Sequence, residues 1–184
     1  MKNNENIQHQ LTQESLYLAL LELMEKESFS KITITKLVNR AGVSRMAFYR
    51  NYTSKEDILM QHLDQKFNSY FEEILHLNDI TFYQIIYLFF RYTRLQKRLI
   101  RNLVNHNLDF IILQRYDLYI EQVISLFSFT FDSSYSEKYL VDFISGGFYK
   151  LLIGWAKNDF YETEEVMAQF LQKLIPNQVS INKL

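Results

Sequence analysis

The amino-acid sequence predicts an all-α fold on two observations. Apolar residues recur at three- and four-residue spacing through most of the chain, and the residues that interrupt helices are scarce: 184 residues include only four glycines and one proline. No strand pair joined by a hairpin turn, no internal repeat and no low-complexity tract is found. A chain of this length forms at most two compact units.

The elements follow in order. Leu16, Leu20, Leu23 and Met24 share one face of a first amphipathic helix over residues 10–27. Thr33 offers a hydroxyl cap to a short second helix with Ile34, Leu37, Val38 and Ala41 inward, and Gly42 ends it in a left-handed turn. Ser44 caps a third helix over residues 45–51, and two short helices across so tight a turn make a helix-turn-helix. Ser54-Lys55-Glu56-Asp57 reads as a capping box, with Asp57 reaching back, that opens a long helix to about residue 75. After Asn78-Asp79, helical patterns cover residues 80–91, 94–105, 109–130, 137–157 and 164–174, with Ser134-Tyr135-Ser136-Glu137 capping one of them and Pro176 closing the last. The expected domains are residues 1–54 and 55–184.

Composition narrows the function. The absence of cysteine excludes a disulfide framework, a thiolate zinc site and a cysteine nucleophile, and it fits a cytoplasmic location. His62, His76 and His106 lack metal-ligand spacing, and no nucleophile-base-acid set or phosphate-cradling glycine loop occurs, so no catalytic residue, cofactor or metal is expected. No stretch is apolar over the roughly 20 residues that cross a bilayer, so no membrane partner is expected. The net charge is −1, yet residues 31–55 hold six basic side chains (Lys31, Lys36, Arg40, Arg45, Arg50, Lys55) and no acid. A local basic surface supplies phosphate affinity even on an acidic protein. With Phe48 and Tyr52 inward, Ser44, Arg45, Tyr49, Arg50 and Asn51 are free to point outward, and Lys55 stands where a phosphate meets a helix N-terminus.

The stretch ITITKLVNRAGVSRMAFYRNYTSKEDIL, residues 32–59, resembles the DNA-binding domain of the tetracycline-repressor (TetR) family. The likeness rests on the threonine opening helix two, the Ala-Gly-Val-Ser turn, Phe48-Tyr49 and the Ser-Lys-Glu start of the fourth helix. It implies that Thr33, Ser44, Arg45, Tyr49, Asn51 and Lys55 touch double-stranded operator DNA, with Arg50 a further contact. Three positions depart from the usual pattern: Met46 where glycine is common, Ala47 where threonine is, and Tyr52 for phenylalanine. Met46 and Ala47 remove polar groups from the DNA face, which favours apolar contact with thymine methyls.

The resemblance also implies a C-terminal ligand-binding and dimerisation domain. Twenty-four of the 29 aromatics lie beyond residue 66, and Phe90, Phe110, Tyr116, Phe148 and Trp155 are the candidate walls of an effector pocket. Gly146, Gly147 and Gly154 fall in one helix, where each costs about 1 kcal/mol relative to alanine, so a close contact must offset them. Gly147, Leu151 and Gly154 are the candidate dimer contacts, against the alternative of close packing within one monomer. Residues 143–159 resemble the penultimate helix of a TetR subgroup frequent in low-GC Gram-positive bacteria. Arg91, Arg94, Arg98 and Arg101 line one side of a helical stretch, where they either recognise an anionic effector or pair with acids on neighbouring helices. The functional expectation is a homodimeric, ligand-responsive repressor. The alternative is a regulator or co-activator that answers to a protein partner.

Overall fold

A computed structural model describes residues 2–77, 81–125 and 137–174. All the regular structure in the described residues is helical: α1 (Lys2–Met24), α2 (Ile34–Ala41), α3 (Arg45–Asn51), α4 (Lys55–His76), α5 (Phe82–Leu95), α6 (Lys97–Asn105), α7 (Phe110–Ser125), α8 (Glu137–Lys157) and α9 (Glu164–Leu174), with a 3₁₀ turn at Phe29–Lys31. The chain divides into two compact units, Met1–Leu63 and Asp64–Leu184. That division lies within α4, nine residues past the expected boundary. Its cause is that the first turns of α4 bury Ile58 and Leu59 completely, and His62 stacks on Tyr17 of α1 at 3.6 Å.

In the first unit, Leu16, Leu20, Leu23 and Met24 form the buried face of α1, as their spacing predicts. The helix starts earlier than expected, at Lys2, and stops at Met24 instead of running to residue 27. Leu37 and Val38 of α2 and Phe48 of α3 close this core, while Ile34 and Ala41 are only half-buried.

Helix ends obey local chemistry. Thr81 caps α5 in a full box: its hydroxyl accepts from the Gln84 amide at 3.2 Å, and the Gln84 carboxamide accepts from the Thr81 amide at 2.8 Å. The expected start at residue 80, the Asn78-Asp79 restart, the Ser134–Glu137 cap and Pro176 lie outside the described residues or side chains, as do residues 126–130 of the helix expected to end there. The break after α5 falls at Gln96, not between Arg91 and Arg94, so the arginine row is shared between two helices.

The second unit holds two aromatic centres. Phe67, Tyr70 and Ile74 of α4 pack with Ile85 and Leu88 of α5 and Val123 of α7, and Tyr119 lies flat on Phe67 at 3.9 Å. Elsewhere Phe90 meets Trp155 edge-on at 5.3 Å and Trp155 meets Phe160 at 4.9 Å, geometries worth about 1 kcal/mol each beyond their burial. Hydroxyl-to-carboxylate bonds fasten α7 on both sides: Tyr119 to Asp64 at 2.5 Å, Ser145 to Asp117 at 2.6 Å and Tyr149 to Asp109 at 2.6 Å. Such charge-assisted bonds are about twice as strong as neutral ones.

The turn from α8 to α9 is strained, and one arginine holds it. Asp159 and Phe160 adopt left-handed conformations, φ 56° and 55°, which a bulky side chain such as Phe160 rarely takes. Arg94 of α5 donates to the Phe160 carbonyl at 3.0 Å and to the Glu162 carbonyl, pairs with Glu164 at 2.9 Å, and lies over the Trp155 ring at 4.9 Å. Trp155 Nε1 adds a bond to the Glu162 carbonyl at 3.0 Å. Arg91 pairs with Glu73 and Arg101 with Asp159, so three members of the arginine row are matched to carboxylates from elements distant in sequence. Replacing Arg94 by alanine takes the arginine donor from the Phe160 carbonyl and the Glu164 carboxylate and leaves the Glu162 carbonyl to Trp155 alone, and should lower stability in urea unfolding by about 3 kcal/mol. Arg94→Lys should recover less than half, since an ammonium can neither fork nor lie flat on the indole. An unchanged unfolding midpoint for Arg94→Ala would show that Phe160 burial alone holds the turn.

Candidate nucleic-acid interface

The turn that sets α2 against α3 is closed by backbone. Gly42 takes φ 69°, and the Val43 amide reaches back to the Val38 carbonyl at 3.0 Å, a Schellman closure. A Cβ on Gly42 would meet nothing within 4 Å among the described residues, so the glycine serves there for its conformation. Ser44 Oγ then accepts from the Ala47 amide at 3.0 Å, and Thr33 Oγ1 accepts from the Lys36 amide at 3.2 Å, so both cap their helices as their positions predict. At the start of α4, Ser54 Oγ caps the Asp57 amide at 3.1 Å, but the Asp57 carboxylate reaches Thr53, its amide at 2.9 Å and its hydroxyl at 3.1 Å, instead of Ser54.

Phe48 is fully buried and Tyr52 nearly so, which turns the opposite side of α3 to the surface. Arg45, Met46, Tyr49 and Arg50 are exposed together there, Met46 at 76% and Tyr49 at 63%. Ala47 is half-buried beside them. Two expected contacts are held differently. Asn51, expected to point outward, is half-buried, because its Nδ2 donates to the Ala47 carbonyl at 2.6 Å. Lys55 is also half-buried, its Nζ bonded to the Phe29 carbonyl at 2.7 Å and lying 4.2 Å from the centre of the Phe29 ring. An ammonium has three donors, so two remain for another acceptor.

The basic surface is weaker than residues 31–55 imply by themselves. Lys36 pairs with Glu27 at 2.5 Å, and Arg40 binds Glu22 of α1 through Nε at 2.6 Å and through Nη2. Two of the six cations are therefore compensated by acids that precede the segment in sequence. Sequence reasoning also missed Thr35, whose hydroxyl accepts from Arg45 Nη2 across the turn. The ten-residue separation of Thr35 from Arg45 carries no helical periodicity that would signal the contact.

In the second unit four of the five expected pocket aromatics are linked through Phe89, while Phe110 stands at the surface. Phe90 and Trp155 are core residues, Tyr116 and Phe148 both pack on Phe89 (5.6 and 4.9 Å), and Phe110 is half exposed at the start of α7. Phe89, not singled out by the sequence pattern, joins these centres, since it also meets Phe90 edge-on at 5.1 Å. Of the candidate dimer residues, Gly147 and Gly154 are exposed and Leu151 is half-buried. Cβ atoms built on Gly146, Gly147 and Gly154 would meet nothing within 4 Å among the described residues, so no close packing there accounts for these glycines. His62 is packed on Tyr17, and His76 Nδ1 lies 2.6 Å from the Glu72 carbonyl. Among the described residues no group of three His, Cys, Asp or Glu is placed to hold a metal, and no helix is long and apolar enough to cross a membrane.

Comparison with known proteins bears on both units. Residues 16–61 match the family described as bacterial regulatory proteins, tetR family, and residues 80–177 match one described as a transcriptional regulator C-terminal region. Among solved structures, Lin0861 from Listeria innocua superposes with a TM-score of 0.71 at 19% identity, covering 91% of each chain. A TetR transcriptional regulator from Streptococcus agalactiae gives 0.65 at 20% identity, over 95% of this chain and 98% of that one. The dihydroxyacetone kinase operon activator DhaS gives 0.60 at 16% identity, over 94% and 98%. No curated protein sequence matches.

Tyr52 ends α3, and burial, with smaller contributions from the nearby Asp57 and Glu14 carboxylates, pushes its phenol up to about 12 from the ordinary 10.0. The stability that this neutral phenol contributes is complete below the unfolded-state value and is lost as pH rises from about 10 to about 12. Tyr52→Phe should therefore fold and show a shallower loss of stability across that window in denaturant titrations. Equal slopes for the two proteins would remove Tyr52 as a cause.

Proposed function

The chain belongs to the TetR family of bacterial regulatory proteins and is a DNA-binding transcriptional regulator, not an enzyme, and from that premise we propose that it is a ligand-responsive repressor acting as a homodimer. The observation that carries this reading is the shared exposure of Arg45, Met46, Tyr49 and Arg50 on a helix anchored from behind by Phe48. In a two-fold dimer, two copies of α3 enter successive major grooves of a palindromic operator, about 34 Å apart. Thr33 and Ser44, at the tips of α2 and α3, contact phosphates. Ala47 adds apolar contact, Asn51 reaches DNA only by giving up its bond to Ala47, and Lys55 offers its two remaining donors to a phosphate.

Dimerisation is assigned to α8 and α9. Tyr139 and Phe143 are 72% and 79% exposed on α8, in line with Gly147 and Gly154, and Val166, Phe170 and Leu174 make an exposed apolar stripe on α9. A partner helix seated over the glycines supplies the contact that offsets their helix cost of about 1 kcal/mol each. An effector held among the aromatics around Phe89 represses or releases by binding one of two conformations more tightly, which shifts the population on DNA. A second reading is an activator that answers to a protein partner. It is favoured by the likeness to DhaS, which is an operon activator.

In gel-shift assays the wild type should retard a duplex selected from random-sequence DNA, and failure to bind any duplex at low salt would sink the repressor reading and the activator reading alike. Lys55→Ala should weaken binding to all duplexes by a similar factor and lower the salt slope by about one. A changed base preference at undiminished affinity would refute the phosphate role. Phe143→Arg should sediment as a monomer and bind a two-half-site duplex poorly, while a dimeric Phe143→Arg protein would place the interface elsewhere.

A further inference from the structure

We propose that Met46 reads the 5-methyl group of a thymine in each operator half-site, an inference that rests on the DNA-binding reading and refines it. At about 100° per residue, Arg45, Tyr49, Met46 and Arg50 follow one another around α3 at roughly 0, 40, 100 and 140°. The exposed arc therefore has Tyr49 and Met46 at its middle and an arginine at each edge. Arg45 is drawn toward α2 by its bond to Thr35, away from that middle. Lys36 and Arg40 of α2 are compensated by Glu27 and Glu22, so the positive charge that α3 itself brings stands at the edges of the arc, on Arg45 and Arg50.

Beside Tyr49 at the centre stands Met46, a large apolar side chain, 76% exposed, with neither a hydrogen-bond donor nor a charge. Methionine is unbranched and polarisable, so it can follow the floor of a groove. In the major groove the apolar base-edge group is the thymine methyl, while the other edges offer donors and acceptors that Met46 cannot satisfy. Ala47, half-buried next to it, has no polar atom to compete for a base. The chemistry of Met46 favours a methyl over a hydrogen-bonding edge.

The test uses the full chain and a duplex selected from random-sequence DNA, with each thymine replaced in turn by deoxyuridine, which removes the methyl and keeps every hydrogen bond. At one thymine per half-site the swap should weaken wild-type binding about fourfold, the worth of one buried methyl. Met46→Ala, checked for native circular dichroism, should bind more weakly and be insensitive to that same swap. Met46→Leu should keep part of the sensitivity. Uniform tolerance of deoxyuridine by the wild type, a selected half-site without thymine, or undiminished methyl dependence in Met46→Ala would each overturn the proposal while leaving DNA binding intact. Absence of binding to any duplex would remove both.

Discussion

A helix of seven residues does not hold its shape in water on its own, since isolated helices below roughly 12 to 15 residues are marginal. Everything that α3 presents therefore depends on Phe48, which is fully buried on its inner side. The other constraints assist it. Ser44 satisfies an amide at the first turn, Gly42 allows the chain to reverse in a left-handed conformation, and Tyr52 packs 6.1 Å from Phe48 as the helix ends. With its back fixed in this way, the helix has one surface left to offer, and that surface is where the exposed arginines, Met46 and Tyr49 stand.

Electrostatics of the interface is a product of packing and not of composition alone. Carboxylates contributed by α1 and the segment after it approach two of the cations on α2, and the pairs are partly exposed, so their contribution to stability is small. Their larger effect is on the field at the surface, since a compensated lysine or arginine attracts phosphate less. On the proposed reading, affinity for DNA then leans more on direct groove contact, the setting in which an apolar residue on the exposed arc of the helix becomes informative.

In the second unit, arginines and aromatics do the work that loops and glycines do elsewhere. Arg94 binds two carbonyls, a carboxylate and the face of Trp155 at once, and so stabilises a turn whose own dihedral angles are unfavourable. In the row that reads as a candidate anion site, Arg91, Arg94 and Arg101 are thereby matched internally. The α8 glycines behave in the opposite way. No close packing in the described structure explains them, and they lie open beside exposed aromatics.

The sequence by itself determined the helical class, the two short helices and their turn, and the inward faces of α1 to α3. Each of these is written in local spacing: apolar residues three and four apart, a hydroxyl before a helix, a glycine where a left-handed residue is needed. The same logic located the end of α8 at Lys157 and the start of α9 at Glu164, yet it placed the break between α5 and α6 too early, because Thr93 is polar by type and buried by context. Tertiary structure alone decided which charges are spent. Glu22 meets Arg40 across 18 residues, Arg94 meets Phe160 across 66, and Phe89 becomes the meeting point of rings from three helices. Contacts at such separations follow from how helices pack and not from periodicity along one of them. For that reason the exposed face of the candidate interface was legible in the sequence, while the balance of its charge and the commitments of Asn51 and Lys55 were not.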